Sequence, residues 1–189
     1  WLRPHFKPGW RYWLATWLLV PLFVFGGVIA YYFLFPVQFH PSLERLCQML
    51  LAGDAAFDPY VIVALQTLQG ILLSVLINLP FTFCEEFGWR AYLPQKLLSL
   101  GPRKAILISA VVGGVWHWPV IAMGHNYDRN YPGIPALGML AMVWFSIGLS
   151  FFLSWAVLRS HSVWPAAIGH AVLNSVSGIE YARVIFSRG

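Results

Sequence analysis

The feature that most constrains the fold is an uncharged hydrophobic run from Pro59 to Cys84 that ends in two adjacent carboxylates, Glu85 and Glu86. A helix needs about 20 apolar residues to cross a bilayer, so this run is long enough to span one. A charge at the bilayer centre costs roughly 3 kcal/mol or more, which makes carboxylates near membrane depth candidates for function. The alternative is a solvated helix start, where acids face the positive end of the helix dipole.

Composition assigns the whole chain to the membrane. Its 189 residues are 59% hydrophobic and only 10% charged, whereas a soluble domain carries about 25% charged residues. In a membrane protein, a net charge of +5 more often sets orientation than binds nucleic acid. Since no basic and aromatic surface stripe is present, we expect the bilayer, and no nucleic acid, as a partner.

Five hydrophobic segments predict an all-α fold, a polytopic transmembrane helical bundle that forms a single membrane domain over residues 1–189. The predicted spans cover residues 12–35, 60–83, 105–123, 136–158 and 163–179. A short amphipathic helix at 42–51 is expected to lie at the interface. Because the chain starts with Trp1 rather than Met, we interpret it as a fragment of a longer protein.

Lysine and arginine are concentrated at residues 1–11 and 84–104, while 36–59 and 124–135 carry one each. The positive-inside rule therefore predicts a cytoplasmic location for residues 1–11 and 84–104. This location includes the two-Glu segment, residues 84–90, which contains Glu85 and Glu86. Short loops and many tryptophans favour a bacterial cell membrane as the location of this integral membrane protein.

Spacing within the two-Glu segment gives its carboxylates different roles. Glu86 and Arg90 are four residues apart on a helix, so they share a face and are predicted to form an ion pair. Glu85 is turned roughly 100° away from Glu86 and is left free to act as a base.

Two further polar groups lie in otherwise apolar segments. His117 comes near the end of the third span, and His170 and Asn174 share one face of the fifth. Each has a structural alternative, since a His beside Trp is often structural and His-x-x-x-Asn can join helices by hydrogen bonds. Intramembrane Glu and His seldom accumulate without a shared role, so together they predict one polar cavity.

Two chemistries are compatible with these residues. In one, a divalent metal such as zinc is bound by Glu85, His117 and His170. Glu86 or Asn174 would then orient these ligands without binding the metal. In the other, Glu activates a water, and His and Asn donate hydrogen bonds to the oxyanion. The HExxH zinc signature is missing, and an amide beside an imidazole suits a pair of oxyanion donors. We therefore favour a site without a cofactor.

Three motifs resemble those of the CPBP intramembrane proteases, the CAAX-prenyl-protease and bacteriocin-processing group that is also called the Abi family. They are residues 84–93, 115–119 and 164–174. The resemblance covers residues 60–179, which we predict to be the catalytic core. It has one departure, because Gly113 stands where the family usually has Phe, and this leaves the packing behind His117 open.

The resemblance implies an all-helical membrane peptidase with six catalytic residues: Glu85, Glu86, Arg90, His117, His170 and Asn174. Glu85, helped by His117, would activate the attacking water. His170 and Asn174 would stabilise the oxyanion. Glu86 and Arg90 would order the site. Family members are often labelled metalloproteases, although the chemistry also fits a glutamate-activated water without metal.

The predicted function is therefore intramembrane endopeptidase activity on a peptide or membrane protein. The family suggests a prenylated tail or a bacteriocin-type peptide as substrate. One rival function is a transporter coupled to protons or ions, against which stands the lack of inverted repeats. The other is a non-catalytic bacteriocin-immunity protein, which the complete set of motif residues disfavours.

Overall fold

A computed structural model describes residues 1–35, 58–127 and 129–177. Throughout this described part the chain is helical and contains no strand, which confirms the all-α prediction. Cys84 is an exposed free thiol. The predicted interfacial helix at 42–51, with Cys47, lies outside the described residues.

Eight α-helices follow one another in the described chain. They are α1 (Phe6–Leu34), α2 (Pro59–Leu72), α3 (Ser74–Glu86), α4 (Leu93–Lys96), α5 (Pro102–Trp116), α6 (Trp118–Ala122), α7 (Ala136–Ser160) and α8 (Trp164–Val176). A π-helix, Phe87–Tyr92, joins α3 to α4, and a 3-10 turn, Leu98–Leu100, follows α4.

Three of the helical stretches are long and apolar enough to cross a membrane: Phe6–Leu34, Pro102–Ala122 and Ala136–Ser160. Two further helical stretches, Val63–Leu72 and Val75–Lys96, meet at a bend of 52°, and together they form a fourth span if the bent pair is counted as a single span. The protein is therefore an integral membrane protein. The predicted fifth span is too long, because α8 has only 13 residues, fewer than the roughly 17 that the shortest spans need.

Local sequence explains where two of these helices begin. A side-chain oxygen of Asp58 accepts a hydrogen bond from the Tyr60 N–H at 2.8 Å, which caps α2. Gly101 has φ +89, a conformation that other residues rarely adopt, and it turns the chain into α5. Proline follows each of these residues at the first helical position, where its missing N–H costs nothing.

The chain divides into two compact units. The first comprises Trp1–Thr16 and Phe81–Ala167, and the second comprises Trp17–Pro80 and Ile168–Gly189. Our assignment of residues 1–189 to one membrane domain, with a catalytic core at 60–179, stays a prediction.

In the first unit, α5 and α7 form the most extensive helix contact. Gly114 makes this contact possible, since a Cβ there would lie 2.7 Å from the Cα of Val143. A buried cluster of Leu153, Val157 and Ala166 forms the core beside it. The close approach of α5 and α7 gives this unit a rigid framework.

In the second unit, interhelical hydrogen bonds hold the end of α8. The Asn78 side-chain amide donates to the Ser175 hydroxyl at 3.1 Å, and that hydroxyl donates to the Ala171 carbonyl at 2.8 Å. The Trp17 indole donates to the Ile71 carbonyl at 2.8 Å. Such contacts between small and polar groups are typical of packed membrane helices.

Candidate active site

Glu86 is fully buried and forms the predicted ion pair. Its Oε1 accepts a hydrogen bond from Arg90 Nη1 at 2.8 Å, and the exposed fractions of the two side chains are 0% and 6%. Arg90 Nη2 also donates to the Ser150 hydroxyl on α7 at 3.2 Å. Removing one partner of such a pair strands a buried charge. The bond from Arg90 to Ser150 links the π-helix to α7.

Glu85 lies in a different environment from its neighbour. It is half-buried, and in the described part of the chain it makes no hydrogen bond and no ion pair. By helical spacing, its side chain leaves the helix roughly 100° away from that of Glu86. Its carboxylate is thus able to accept a proton from a water or a ligand.

His117 lies between α5 and α6 with one ring nitrogen bound. Its Nδ1 is 2.8 Å from the Gly113 carbonyl oxygen. A carbonyl can only accept, so Nδ1 carries the proton, and Nε2 of the neutral ring is left as an acceptor. The half-buried imidazole therefore has one ring nitrogen held by the backbone and the other left as an acceptor.

The two-Glu segment runs antiparallel to α5. Arg90 and Pro94 line a small cavity together with Ala105, and the Trp89 indole lies over Gly113. These contacts place Trp89, three residues after Glu86, beside Gly113, one helical turn before His117. No hydrogen bond joins Glu85 to His117 among the described residues.

Trp89 connects the two-Glu segment to α5. The Ser109 hydroxyl donates to its carbonyl at 2.6 Å, and its ring centroid lies 6.1 Å from that of Trp116. Trp116 in turn meets the His117 ring at 4.9 Å, with the planes at 89°. The indole thus packs on the bare backbone of Gly113, the position that the sequence left unexplained.

His170 and Asn174 belong to α8 in the second unit. They are one helical turn apart on a common face; His170 is half-buried and Asn174 is exposed. The neighbouring face, which includes Ala171 and Val172, is buried. Both polar residues therefore lie away from the most buried face of their helix.

The six predicted residues are thus distributed over two units. Glu85, Glu86, Arg90 and His117 belong to the first, whereas the His170 helix face belongs to the second. Within either unit, the described residues contain no group of three His, Cys, Asp or Glu side chains arranged to hold a metal. No single unit therefore forms the zinc set that the sequence allowed.

Two residues of this site were not predicted from the sequence. Ser150 binds Arg90 from α7, and nothing in its local pattern distinguishes it from other serines of that helix. Trp89 lies inside the first motif but was not assigned a role. The π-helix that orients it also has no sequence signal that we recognised.

The polar loop after α6 is held by internal contacts. The Arg129 guanidinium donates twice to the Met123 carbonyl, at 2.9 and 3.1 Å, and the Tyr131 hydroxyl donates to the Pro135 carbonyl at 3.3 Å. Burial, and secondarily the nearby Tyr131, raise the pKa of Tyr127, so this phenol stays neutral. These groups therefore have a structural explanation.

Comparison with known proteins identifies the family. The family model described as type II CAAX prenyl endopeptidase, Rce1-like, matches residues 64–176, more than half of the chain. The chain belongs to this family. No curated protein and no solved structure matches the chain.

Membership in the Rce1-like family confirms the resemblance found in the three motifs, all of which lie in the matched region. It supports a peptidase of the CAAX protease type, which acts on a peptide or protein in a membrane. The matched region includes every predicted catalytic residue, from Glu85 to Asn174.

Proposed function

We propose that this protein is an intramembrane endopeptidase that hydrolyses a peptide bond with a water activated by Glu85. The observation that carries the proposal is the contrast between adjacent carboxylates, one sealed in an ion pair and the other available, in a chain of the Rce1-like family. A base must be ionised, reachable and close to a water. Glu85 meets the requirement of access, and buried Glu86 does not.

In the proposed reaction, Glu85 takes a proton from the water while the water oxygen bonds to the carbonyl carbon of the substrate. His117 assists through Nε2, since its Nδ1 proton is bound by the Gly113 carbonyl. The carbonyl oxygen becomes an oxyanion, which His170 and Asn174 stabilise by donating hydrogen bonds. The carbon–nitrogen bond then breaks, and the proton passes from Glu85 to the leaving amine.

We propose that no metal takes part. Supporting this, the Arg90 guanidinium already neutralises Glu86, which lowers the attraction of that carboxylate for a cation. A divalent ion held by Glu85, His117 and His170 is the alternative. The water-activation chemistry needs only a base and donors, which the chain supplies.

We also propose an orientation in the membrane. The start of α5 and the end of α7 meet at one end of the first unit, where Pro102 and Leu158 line the same small cavity. The Trp1 carbonyl accepts from the Val163 N–H there, at 2.9 Å. This basic end gathers seven cations: Arg3, Lys7, Arg11, Lys96, Arg103, Lys104 and Arg159. By the positive-inside rule, the basic end faces the cytoplasm.

This orientation refines the prediction made for the two-Glu segment. Residues 84–96 are almost entirely helical rather than a loop, and Arg90 is buried in its ion pair. Trp89, which follows the carboxylates, packs on Gly113, and Gly113 is about 16 Å from the start of α5 at 1.5 Å per residue. The segment is thus connected to a cytoplasmic turn, but its carboxylates lie within the bilayer.

The substrate we propose is a membrane-anchored peptide, with a farnesylated C-terminal CAAX sequence as the first probe because of the family description. Purified protein in lipid vesicles is incubated with this peptide and with its unfarnesylated twin. New termini are then identified by mass spectrometry. Cleavage that needs Glu85 supports the proposal, while a chain that binds the probe but never cuts it supports a non-catalytic role.

A further inference from the structure

We propose that Trp89 is a positioning residue for His117, which holds the imidazole in its orientation and tautomer by packing on Gly113 and Trp116. This inference rests on the catalytic role proposed above for His117. It adds a residue outside the six that the motifs indicate.

The first observation is the contact between Trp89 and Gly113. A Cβ built on Gly113 would stand 3.7 Å from Cδ2 and 3.9 Å from Cε2 of the indole. The ring therefore occupies the direction in which a longer side chain would extend. Gly113 is also the residue whose carbonyl binds His117 Nδ1, at 2.8 Å. The indole thus packs on the peptide that determines the tautomer of His117.

The second observation is a chain of aromatic contacts to the imidazole. The Trp89 and Trp116 rings lie 6.1 Å apart at 61°, and the Trp116 and His117 rings lie 4.9 Å apart at 89°. Edge-to-face arrangements of this kind are favourable beyond simple burial. Trp116 is therefore restrained on one side by Trp89, and it restrains His117 on the other.

The third observation explains how Trp89 itself is held. The Ser109 hydroxyl donates to the Trp89 carbonyl at 2.6 Å, which ties the backbone of the π-helix to α5. The Leu93 N–H bonds to the Gly88 carbonyl, five residues back, as a π-helix requires. Since an α-helical turn has fewer residues, a regular helix would carry Trp89 to another direction. The π-helix therefore sets the indole against Gly113.

The Trp89 indole is held by packing of its ring and not by a hydrogen bond from Nε1. Trp89 Nε1 is buried and has no hydrogen-bond partner among the described residues. A phenylalanine, which keeps an aromatic ring but lacks the N–H, should thus preserve most of the effect. This property separates Trp89 from a residue that acts through a hydrogen bond.

The test compares Trp89→Ala and Trp89→Phe with a control, Trp144→Ala. Trp144 is 74% exposed on α7 in the same unit, so its removal deletes an equal side chain away from the site. All proteins carry ¹⁵N-labelled histidine and are studied in micelles, and a His117→Gln spectrum assigns the resonance. NMR reports the tautomer of His117 and its titration, and cleavage of the farnesylated peptide gives a pH–rate profile.

In Trp89→Ala, we expect the ¹⁵N spectrum of His117 to show a mixture of the two neutral tautomers instead of the Nδ1–H tautomer alone. The pH–rate profile should move. Turnover should fall on the order of ten- to hundredfold, as it does when catalytic groups are misplaced. Trp89→Phe should stay within about threefold of the native rate, because the ring remains. Trp144→Ala should match the native protein in both the spectrum and the rate.

Substitutions at Gly113 test the same contact from the other side. Gly113→Ala adds only a Cβ at ordinary contact distance, so it should leave the spectrum and the profile unchanged. Gly113→Leu should displace the indole and reproduce the Trp89→Ala signature. Because both changes break one contact, the double variant should be no worse than the worse single variant.

The proposal is overturned if Trp89→Ala keeps the native tautomer and the native pH–rate profile, even when turnover falls because less protein folds. It is also overturned if Trp89→Phe is as damaged as Trp89→Ala. A native protein that cleaves no peptide refutes the proposed function instead, and the NMR comparison still decides whether Trp89 positions His117.

Discussion

Glu86 and Glu85 are neighbours in the chain, but the regions around them differ. On the Glu86 side, the charge is fully buried and bound by Arg90, which also donates to Ser150. On the Glu85 side, the carboxylate is half-buried without a described partner, and His117, in the same unit, has Nδ1 bound to the Gly113 carbonyl, which leaves Nε2 as an acceptor. The first region is closed by its own contacts, and the second is left open for a ligand.

This difference shows how a membrane protein can contain two adjacent carboxylates that serve different purposes. A buried carboxylate must be paired with a cation and hydrogen-bonded to remain ionised, so the Glu86 side serves the fold. The unpaired carboxylate is tolerated only where water or substrate reaches it. We infer that the closed region holds the helix in place and that the open region carries the chemistry.

The largest expected effect is on the closed region. Glu86→Ala and Arg90→Ala each leave a buried charge unpaired, which should lower the free energy of unfolding by about 3–5 kcal/mol. The double variant should lose less than the sum of the two, because the second change removes a charge that the first had stranded. Thermal unfolding in detergent measures all three.

Lys96→Ala is the matched control for these variants. Lys96 is an exposed cation on α4, near Arg90 in sequence, and its ammonium lies over the Tyr92 ring at 5.5 Å. Its removal should change stability by no more than about 0.5 kcal/mol. Strictly additive losses at Glu86 and Arg90 would show that the two residues do not act as a pair.

The next effect is on the open region and on its proposed partners. His117→Ala, His170→Ala and Asn174→Ala should each reduce peptide cleavage, the two His changes by about a hundredfold or more, since each removes a proton acceptor or an oxyanion donor. Folding should be retained, because none of the three is fully buried. Rates are measured on the farnesylated peptide, and unfolding is measured in parallel. A His170→Ala protein that unfolds instead would indicate a structural role.

The sequence predicted the parts of this architecture that depend on local spacing. Uncharged runs predicted the long helices, and the four-residue interval predicted the Glu86–Arg90 pair, since both follow from helix periodicity. The short last helix was overpredicted, because hydropathy alone does not show where α8 ends at Val176.

Features that depend on contacts between distant segments were not predictable in this way. Ser150 binds Arg90 across 60 residues of chain, and Trp89 packs on Gly113 only because a π-helix turns it there. Hydrophobic periodicity describes one helix at a time and contains no information on which neighbour fills a gap. A bare glycine before His117 therefore looked like a missing contact, whereas a tryptophan from another helix supplies it.

A smaller effect is expected from Ser150→Ala. This change removes the hydroxyl that accepts from Arg90 Nη2 at 3.2 Å but leaves the ion pair in place. We expect a loss of about 1–2 kcal/mol in the free energy of unfolding, as for a hydrogen bond to a charged group. Ser99→Ala, at an exposed site, is the control. If Ser150→Ala has the same stability as the native protein, the hydrogen bond from Arg90 to Ser150 does not contribute to the closed region.

The smallest expected effect concerns metal. If Glu85 activates water by itself, exhaustive chelation should leave the cleavage rate unchanged, and elemental analysis of active protein should find no stoichiometric zinc. Activity that is lost on chelation and restored by zinc would contradict the metal-free proposal. It would then assign Glu85, His117 and His170 as ligands rather than as base and donors.

The division of roles between the two carboxylates is tested most directly by comparing Glu85→Gln with Glu86→Gln, with turnover and unfolding measured on the same preparations. Both changes keep the size and shape of the side chain, remove its charge and replace one acceptor oxygen with a donor nitrogen. The account predicts that Glu85→Gln folds like the native protein but cleaves the peptide about a hundredfold more slowly or worse. Glu86→Gln should instead unfold more easily. Native turnover in Glu85→Gln, or equal losses of stability in both variants, would contradict it.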